Sequence, residues 1–338
     1  MDLRRLQEVL DKEPGYRLRQ VKKALFQDLI DDWSKATNLP LRLRNELKEK
    51  CEIGISGDTS VSGDGNTVKV LISLKDGLKI ESVLMRYKKR YISNTVCVSC
   101  QVGCALGCSF CATGTMGFMR DMDSIEICEQ VIFFGRYLKK SGQKVTNVVF
   151  MGMGEPLLNY ENVIGAIKTL NDKEGFNLGM RRFSISTVGI IDGIVRLAGE
   201  EPQVNLAVSL NAPNDILRAK MMPINRKYPI NRILKAVDNY IEKTRRKVMF
   251  EYVMIKGLND SDESARELAG LTRGRLCFVN LIPYNPTGMF ERPSYSRIKA
   301  FKEALEKAGV TVTQRYHFGG QIKAGCGQLA AESVRREH

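Results

Sequence analysis

The cysteines are the residues of this chain whose spacing most clearly indicates chemistry. Five of the nine fall within one stretch of fifteen residues. Cys104, Cys108 and Cys111 form a C-x3-C-x2-C pattern, in which three closely spaced thiolates can hold one face of an iron–sulfur cluster. Zinc is the alternative, with Cys100 or Cys97 as the fourth ligand that a zinc site normally requires. The spacing predicts a metal centre and favours a cluster.

A [4Fe–4S] cluster held by three cysteines leaves one iron open to a further ligand. S-adenosylmethionine (SAM) carries an amine and a carboxylate that can chelate this iron, and an electron from the cluster then splits the sulfonium to give a 5′-deoxyadenosyl radical. In this respect the sequence resembles the radical SAM superfamily, whose motif has this spacing with an aromatic residue before the third cysteine, here Phe110. The resemblance implies a [4Fe–4S] cluster and SAM as cofactors.

A glycine-rich turn follows about forty residues after the cysteine motif. Residues 148–150 are an apolar run typical of a buried strand, and Gly154 and Glu155 come directly after it. Polar groups at this strand end could receive the SAM ammonium group. Ser186 and Ser209 end two further predicted strands; each could be an ordinary capping serine, but we expect both to line the same site.

The hydrophobic pattern predicts the elements that position these residues. Residues 3–50 have apolar positions at helical spacing, and two alternating runs around a Lys-Asp-Gly turn indicate a β-hairpin over 67–86. From about residue 95, short β-rich runs alternate with amphipathic helical stretches. The predicted strands are 145–150, 182–187, 204–210, 248–253 and 277–281, and the predicted helices lie near 124–140, 161–171, 229–243, 261–271 and 294–308.

This alternation predicts the α/β class, with parallel strands covered by helices. We expect a radical SAM partial (β/α)6 barrel with a small N-terminal helical domain and a β-hairpin extension, and an active site at the carboxyl ends of the strands. The predicted divisions are 1–55 for the helical domain, 56–96 for the hairpin and linker, 97–315 for the partial barrel and 316–338 for a C-terminal segment.

Composition and charge indicate what kind of protein this is and what kind of partner it binds. With 43% hydrophobic and 27% charged residues the chain is an ordinary folded protein, and no apolar run approaches the roughly 18 residues of a membrane span. No membrane association and a cytoplasmic location are expected, where grouped cysteines point to metal or redox chemistry. The net charge of +14 suggests a polyanionic partner, and basic residues of the helical module beside Tyr16 and Trp33 suggest an RNA-contacting face.

A longer series of motifs resembles the RlmN/Cfr family of radical SAM adenine methyltransferases. The motifs, in the family's order, are CVSCQVGCALGCSFCATG at 97–114, MGMGEPLL at 151–158, SLNAPND at 209–215 and CGQLA at 326–330. The resemblance covers nearly the whole chain. It implies methylation of an adenine in 23S ribosomal RNA, and for the RlmN branch also in transfer RNA.

The resemblance assigns catalytic roles to Cys326, Cys97 and Glu81. A first SAM would methylate Cys326, and the radical derived from a second SAM would take a hydrogen from that S-methyl group. The resulting carbon radical would add to the adenine and link RNA to Cys326. Glu81 would remove the ring proton, and Cys97 would attack the sulfur of Cys326 and release the methylated base through a transient disulfide. The glycines beside Cys326 suggest a mobile loop.

The family's SAM contacts fall on seven positions: Gly154, Glu155, Ser186, Ser209, Leu210, Asn211 and Asn285. Asn211 stands where the family usually has histidine, although asparagine still offers a donor and an acceptor. The segment before Cys326 lacks the family's usual acidic residue. Residues 103–118 are more similar to the RlmN type, which implies carbon 2 of the adenine; the Cfr type modifies carbon 8.

Two further expectations concern the electron donor and the oligomeric state. A flavodoxin-type protein would supply electrons, as is usual for similar enzymes, and the chain would act as a monomer. The alternatives are a Cfr-type enzyme, a radical SAM enzyme that modifies a protein or small molecule, and a zinc-stabilised RNA-binding module. The basic charge and the helical module weigh against the second of these.

Overall fold

The computed structural model describes residues 3–87, 92–201, 203–315 and 322–330. The strands of these residues are β1 (Gly57–Val61), β2 (Thr67–Ser73), β3 (Lys79–Tyr87), β4 (Ser93–Val98), β5 (Gln101–Gly103), β6 (Phe118–Asp121), β7 (Asn147–Phe150), β8 (Phe183–Thr187), β9 (Asn205–Ser209), β10 (Val248–Met254), β11 (Cys277–Pro283) and β12 (Val312–Gln314). The α-helices are α1 (Leu3–Leu10), α2 (Tyr16–Lys22), α3 (Leu41–Lys50), α4 (Ala112–Thr115), α5 (Ser124–Lys139), α6 (Tyr160–Asn171), α7 (Ile191–Glu200), α8 (Asp215–Met221), α9 (Ile230–Thr244), α10 (Asp262–Thr272) and α11 (Tyr295–Lys307).

Ten strands form one sheet in the order β1-β2-β3-β4-β7-β8-β9-β10-β11-β12. Strands β1 to β4 pair antiparallel, and every neighbouring pair from β4 to β12 is parallel. In the described part of the chain, β1 and β12 each have a single neighbour, so the sheet is open. The α/β class and the partial barrel are therefore confirmed, and all parallel strands end at one edge of the sheet.

Helix α5 illustrates how the sequence directs the covering helices onto the sheet. Asp123 caps its amino terminus by accepting hydrogen bonds from the backbone of Ile125 and Glu126, and the Glu126 side chain completes a capping box. Val131 and Phe134, three positions apart, are fully buried in the main core. The five predicted helices are all present within a few residues of the expected bounds.

The predicted hairpin consists of β2 and β3, joined by a tight turn at Asp76 and Gly77. The Asp76 carboxylate accepts the Leu78 backbone N–H at 3.0 Å, and Gly77 has a φ of +83°, which a glycine adopts without strain. Because β3 pairs with β4, the hairpin continues the sheet next to the strand that carries Cys97.

Residues 3–50 form helices around a separate apolar cluster that also includes Ile132 of α5. Residues 23–27 form a π-helical turn after α2. The expectation that Trp33 belongs to an RNA-contacting face is wrong: its side chain is 1% exposed, and its indole N–H donates to the Cys51 carbonyl at 2.6 Å. Tyr16 is 47% exposed and remains available at the surface.

The hydrophobic pattern did not predict α7, α8, β12 or the two-stranded sheet of β5 and β6. No helix in the described ranges combines the length and apolar character that crossing a bilayer requires.

Candidate active site

The three motif cysteines lie between β5 and α4 and line one open cavity of about 980 Å³. Its other walls come from the carboxyl ends of β7 to β11 and from the C-terminal segment 322–330. Glycine is required just before the first cysteine, because Gly103 has a φ of +77° and an added Cβ would lie 1.9 Å from the Gly117 carbonyl oxygen. The loop therefore turns so that all three thiols line the same space.

The donor set fits a cluster with three protein ligands. Cys108 is buried, and Cys104 and Cys111 are partly buried. Burial raises the pKa of the Cys104 thiol to about 11, so a cationic centre such as a cluster would favour its thiolate form. Cys97 and Cys100, the alternative fourth ligands, are not among the residues that line this cavity. In the described ranges, no three histidine, cysteine or acidic side chains are arranged to hold a single metal ion.

The glycine-rich turn after β7 packs tightly against the cysteine loop. Gly154 has a φ of +97°, and an added Cβ would lie 2.5 Å from the Gln101 side chain. The Glu155 carboxylate accepts backbone N–H groups of Leu157 at 3.0 Å and Val188 at 2.8 Å. Burial raises the pKa of Glu155 to about 7 despite these hydrogen bonds. Glu155 thus lines the cavity and also joins two of its loops.

Ser186 and Ser209 converge on a carboxylate that sequence reasoning missed. The Ser186 hydroxyl donates to Oε2 of Glu251 at 2.5 Å, and the Ser209 hydroxyl donates to the same oxygen at 3.3 Å. The other oxygen, Oε1, is buried and accepts no hydrogen bond from the described residues. An acidic residue in the middle of the apolar strand β10 was a signal available in the sequence. A ligand with hydroxyl or ammonium donors, as SAM has, fits this arrangement.

The remaining candidates for SAM contacts, Asn211, Leu210 and Asn285, do not all line the same cavity. Asn211 lines the cavity with a φ of +58°, but its side-chain oxygen already accepts the Val253 N–H at 3.0 Å. Leu210 is fully buried and is not among the lining residues. Asn285 lines a second pocket and donates to the Cys326 carbonyl at 3.3 Å.

Cys97 and Cys326 line this second pocket, an adjoining space of about 560 Å³ with mostly apolar walls. Arg315, Cys326 and Met151 line both spaces, so Cys326 faces the cavity of the motif cysteines as well as the pocket that contains Cys97. Burial raises the pKa of Cys97 to about 12, and the nearby Cys326 adds to the shift. All nine cysteines are free thiols.

Arg315 is the second residue that sequence reasoning missed. Its Nη1 donates to Sγ of Cys326 at 2.7 Å and lies 3.8 Å from Oε1 of Glu251. Burial raises the pKa of Cys326, and Arg315 opposes that shift. The pair of thiolates and Glu251 in turn raise the pKa of Arg315, with Cys326 as the strongest contributor. A guanidinium at hydrogen-bond distance is suited to stabilise a thiolate at Cys326.

The C-terminal segment is held against the cysteine loop, whereas the sequence suggested a mobile loop. The Thr113 hydroxyl donates to the Leu329 carbonyl at 2.6 Å, and the Ala112 N–H donates to the Gly327 carbonyl at 2.7 Å. Gly325 lies so close to Asn285 that an added Cβ would be 2.5 Å from its side-chain nitrogen. These contacts fix Cys326 between the two pockets.

Glu81 also contacts this segment. Its Oε2 accepts the Ala330 backbone N–H at 2.7 Å, and its Oε1 lies 2.7 Å from Nζ of Lys69. Its side chain is 5% exposed, so Glu81 is not the solvent-facing charge that a hairpin strand would usually present. The structure therefore brings Cys326 and Cys97 together in one pocket, whereas Glu81 contacts the segment that carries Cys326 without lining either pocket.

Comparison with known proteins is consistent with this geometry. A profile of the radical SAM superfamily matches residues 98–269. A relative from Dictyoglomus thermophilum, "Probable dual-specificity RNA methyltransferase RlmN", is 47% identical over 321 residues, covering 94% of this chain and 91% of the relative. "Ribosomal RNA large subunit methyltransferase N" of Nitrosopumilus maritimus is 45% identical over 327 residues, covering 94% of this chain and 93% of the relative. The crystal structure of a radical SAM methyltransferase from Sphaerobacter thermophilus is similar with a TM-score of 0.93 and 46% identity, covering 98% of both chains.

Proposed function

This chain belongs to the RlmN family of radical SAM methyltransferases, and we propose that it methylates carbon 2 of an adenosine in 23S ribosomal RNA and in transfer RNA. The names of its relatives describe dual-specificity and large-subunit ribosomal RNA methyltransferases. One structural observation carries the proposal: two thiols outside the cluster motif, Cys97 and Cys326, line one pocket beside the cavity of the cluster cysteines.

A [4Fe–4S] cluster would be held by Cys104, Cys108 and Cys111, and SAM would lie against Gly154, Glu155, Ser186, Ser209 and Asn211. When bound, the cluster would supply an electron, and SAM would supply a carbon-centred radical that accepts one hydrogen atom. Leu210 and Asn285 are assigned to SAM by the resemblance; for Leu210 the contact would come from its backbone, because its side chain belongs to the core. Glu251 adds a carboxylate with one oxygen open to a donor.

Cys326 is the methyl carrier in this proposal. Its thiolate, stabilised by Arg315, attacks the methyl group of a first SAM, so that an S–CH3 bond forms and S-adenosylhomocysteine leaves. The methyl carbon, after losing a hydrogen, then joins carbon 2 of the adenine while still attached to the sulfur. The second pocket is lined by both Cys326 and Cys97, so the adduct would form next to the second thiol.

Glu81 and Cys97 release the product. Addition of the methylene radical to carbon 2 leaves one unpaired electron on the adduct, which the cluster, when bound, would take back. The Glu81 carboxylate takes the ring proton. The Cys97 sulfur attacks Sγ of Cys326; an S–S bond forms, the C–S bond breaks, and its electron pair with a proton completes the new methyl group. The resulting disulfide has lost two electrons relative to the thiols, and a cellular dithiol must reduce it before the next cycle.

The RlmN relatives support carbon 2 over carbon 8, the position that a Cfr-type enzyme modifies. We set aside the zinc-stabilised RNA-binding module, because the chain belongs to a methyltransferase family. We further propose a flavodoxin-type electron donor, action as a monomer, and a cytoplasmic location, where RNA and reduced thiols are available. Residues 1–55 would dock RNA, 56–96 would carry Glu81, 97–315 would hold the cofactors and 316–338 would present Cys326.

Nucleoside analysis of RNA from cells with and without the gene tests the function. We expect 2-methyladenosine in ribosomal and transfer RNA from cells with the gene, and its loss from both when the gene is deleted. Appearance of 8-methyladenosine instead would favour the Cfr-type alternative. RNA with an unchanged modification pattern in both fractions would contradict the proposal.

A further inference from the structure

Lys69 is a partly buried cation next to the proposed general base. It lies on β2, opposite Val83 of β3, and therefore diagonal to Glu81, which is opposite Leu71. The Lys69 side chain is 16% exposed and that of Glu81 is 5% exposed, and their charged atoms are 2.7 Å apart. A charge pair this enclosed is costly to desolvate, and breaking it by removing one partner leaves the other charge buried.

The contacts of Glu81 show what Lys69 does for its carboxylate, because each carboxylate oxygen has a different partner. Lys69 binds Oε1, while Oε2 faces the C-terminal segment and accepts the Ala330 N–H. Val83 and Met85, two and four residues along β3 and so on the same face as Glu81, line the pocket that contains Cys97 and Cys326. Glu81 itself is not among the residues that line either pocket. Its carboxylate, held by Lys69 on one oxygen, thus lies on the strand face that borders the pocket where the adduct would form.

We propose that Lys69 is a positioning residue that keeps the Glu81 carboxylate charged and oriented for removal of the adenine ring proton. The inference rests on the proposed function. In the step concerned, the ring C–H bond breaks, its electron pair stays with the adduct, and the proton bonds to a Glu81 oxygen. Lys69 exchanges no proton; its charge stabilises the carboxylate before the transfer and fixes which oxygen faces the substrate.

The test uses Lys69→Met in the full-length, cluster-loaded enzyme, with Lys69→Arg as the conservative variant. Lys75→Met, which removes an exposed lysine from the same hairpin, is the matched control. Three quantities are measured: methylation of Cys326 by mass spectrometry, covalent protein–RNA adduct on denaturing gels, and methylated adenosine. The substrate RNA is compared with RNA carrying deuterium at carbon 2 of the target adenine.

For Lys69→Met we expect Cys326 to be methylated as in the control. The adduct should accumulate, and its release should slow by about 10-fold to 100-fold, within the usual contribution of a general base. The deuterium isotope effect should increase, because proton removal becomes rate-limiting. Lys69→Arg should recover part of the rate, since it restores the charge with different geometry.

Release of the adduct at the control rate with an unchanged isotope effect would overturn the inference. So would an equal loss of Cys326 methylation and of product, because that pattern indicates a structural role. If the wild-type enzyme and Lys75→Met form neither adduct nor methylated adenosine, the proposed function itself fails, and the inference about Lys69 fails with it.

Discussion

At the scale of single residues, Arg315 connects the two halves of the site. Its guanidinium contacts the Cys326 sulfur and lies near Glu251, and its side chain lines both pockets. Burial alone disfavours a thiolate at Cys326, so in the proposed mechanism the nucleophile for the first methyl transfer would depend on this cation. Arg315 is therefore expected to act on the methyl-loading step before any RNA is bound.

Replacing Arg315 with Met should slow methylation of Cys326 by SAM. Without the cation the pKa of Cys326 increases further, so the fraction of thiolate at a given pH falls roughly 10-fold for each pKa unit. The rate should recover as the pH is raised, which mass spectrometry of Cys326 across pH would detect. Arg315→Lys should be intermediate, and Lys307→Met, an exposed position on α11, should match the wild type. An unchanged rate and pH profile in Arg315→Met would refute this role.

Sequence reasoning identified the residues that belong to motifs and missed those whose role depends on side-chain contacts. The motif cysteines are grouped along the chain, Cys97 and Cys326 lie within matching motifs, and the resemblance assigned Glu81. Arg315 and Lys69 lie in runs without an unusual pattern, although each is close in sequence to its partner, Cys326 or Glu81. Which side chains meet depends on strand register and on the path of the loops, and spacing alone determines neither.

At the scale of elements, the contact between α4 and the C-terminal segment fixes the position of Cys326. The short helix α4 begins directly after Cys111, so its hydrogen bonds join the loop of the motif cysteines to the segment that carries Cys326, the proposed methyl carrier. The strand and helix alternation was predictable because each element has its own apolar period. The link between α4 and the C-terminal segment was not predictable, because it depends on one hydroxyl and one backbone N–H that donate to carbonyls more than two hundred residues further along the chain.

Replacing Thr113 with Val should loosen this contact. The change removes the donor to the Leu329 carbonyl and leaves that oxygen unpaired, which costs about 1 kcal/mol or more. Alkylation of Cys326 by iodoacetamide should become roughly fivefold faster, since 1 kcal/mol alters an equilibrium by about that factor. Thr115→Val is the control, because the exposed Thr115 hydroxyl bonds only locally to the Ala112 carbonyl among the contacts described for it. Equal alkylation rates for the two variants would count against the linkage.

At the scale of the whole molecule, the net charge of +14 accords with a polyanionic substrate. The helical module presents exposed basic residues, including Arg19 and Lys23, while Trp33 belongs to its core. The overall charge was evident from composition, but the exposed or buried state of Trp33 was not, because it depends on how the short helices pack. RNA docking by this module is therefore expected to be mainly electrostatic.

The affinity for RNA should decrease as salt increases, because binding to phosphates releases counterions. In a double variant, Arg19→Gln with Lys23→Gln, the slope of log affinity against log salt should fall by about one for each phosphate that the module no longer binds. Lys299→Gln with Lys307→Gln on α11 removes the same charge from another exposed surface. An affinity insensitive to salt, or an equal effect of both double variants, would contradict docking through the helical module.

The most direct test of the mechanism is mass spectrometry of Cys97→Ala after incubation with SAM, reductant and substrate RNA. Because Cys97 is the thiol proposed to release the product, its loss should trap RNA on the protein. After nuclease digestion, the adenosine should remain attached through one carbon to Cys326. A Cys97→Ala enzyme that releases methylated RNA at the wild-type rate, with no adenosine attached to Cys326, would contradict the account.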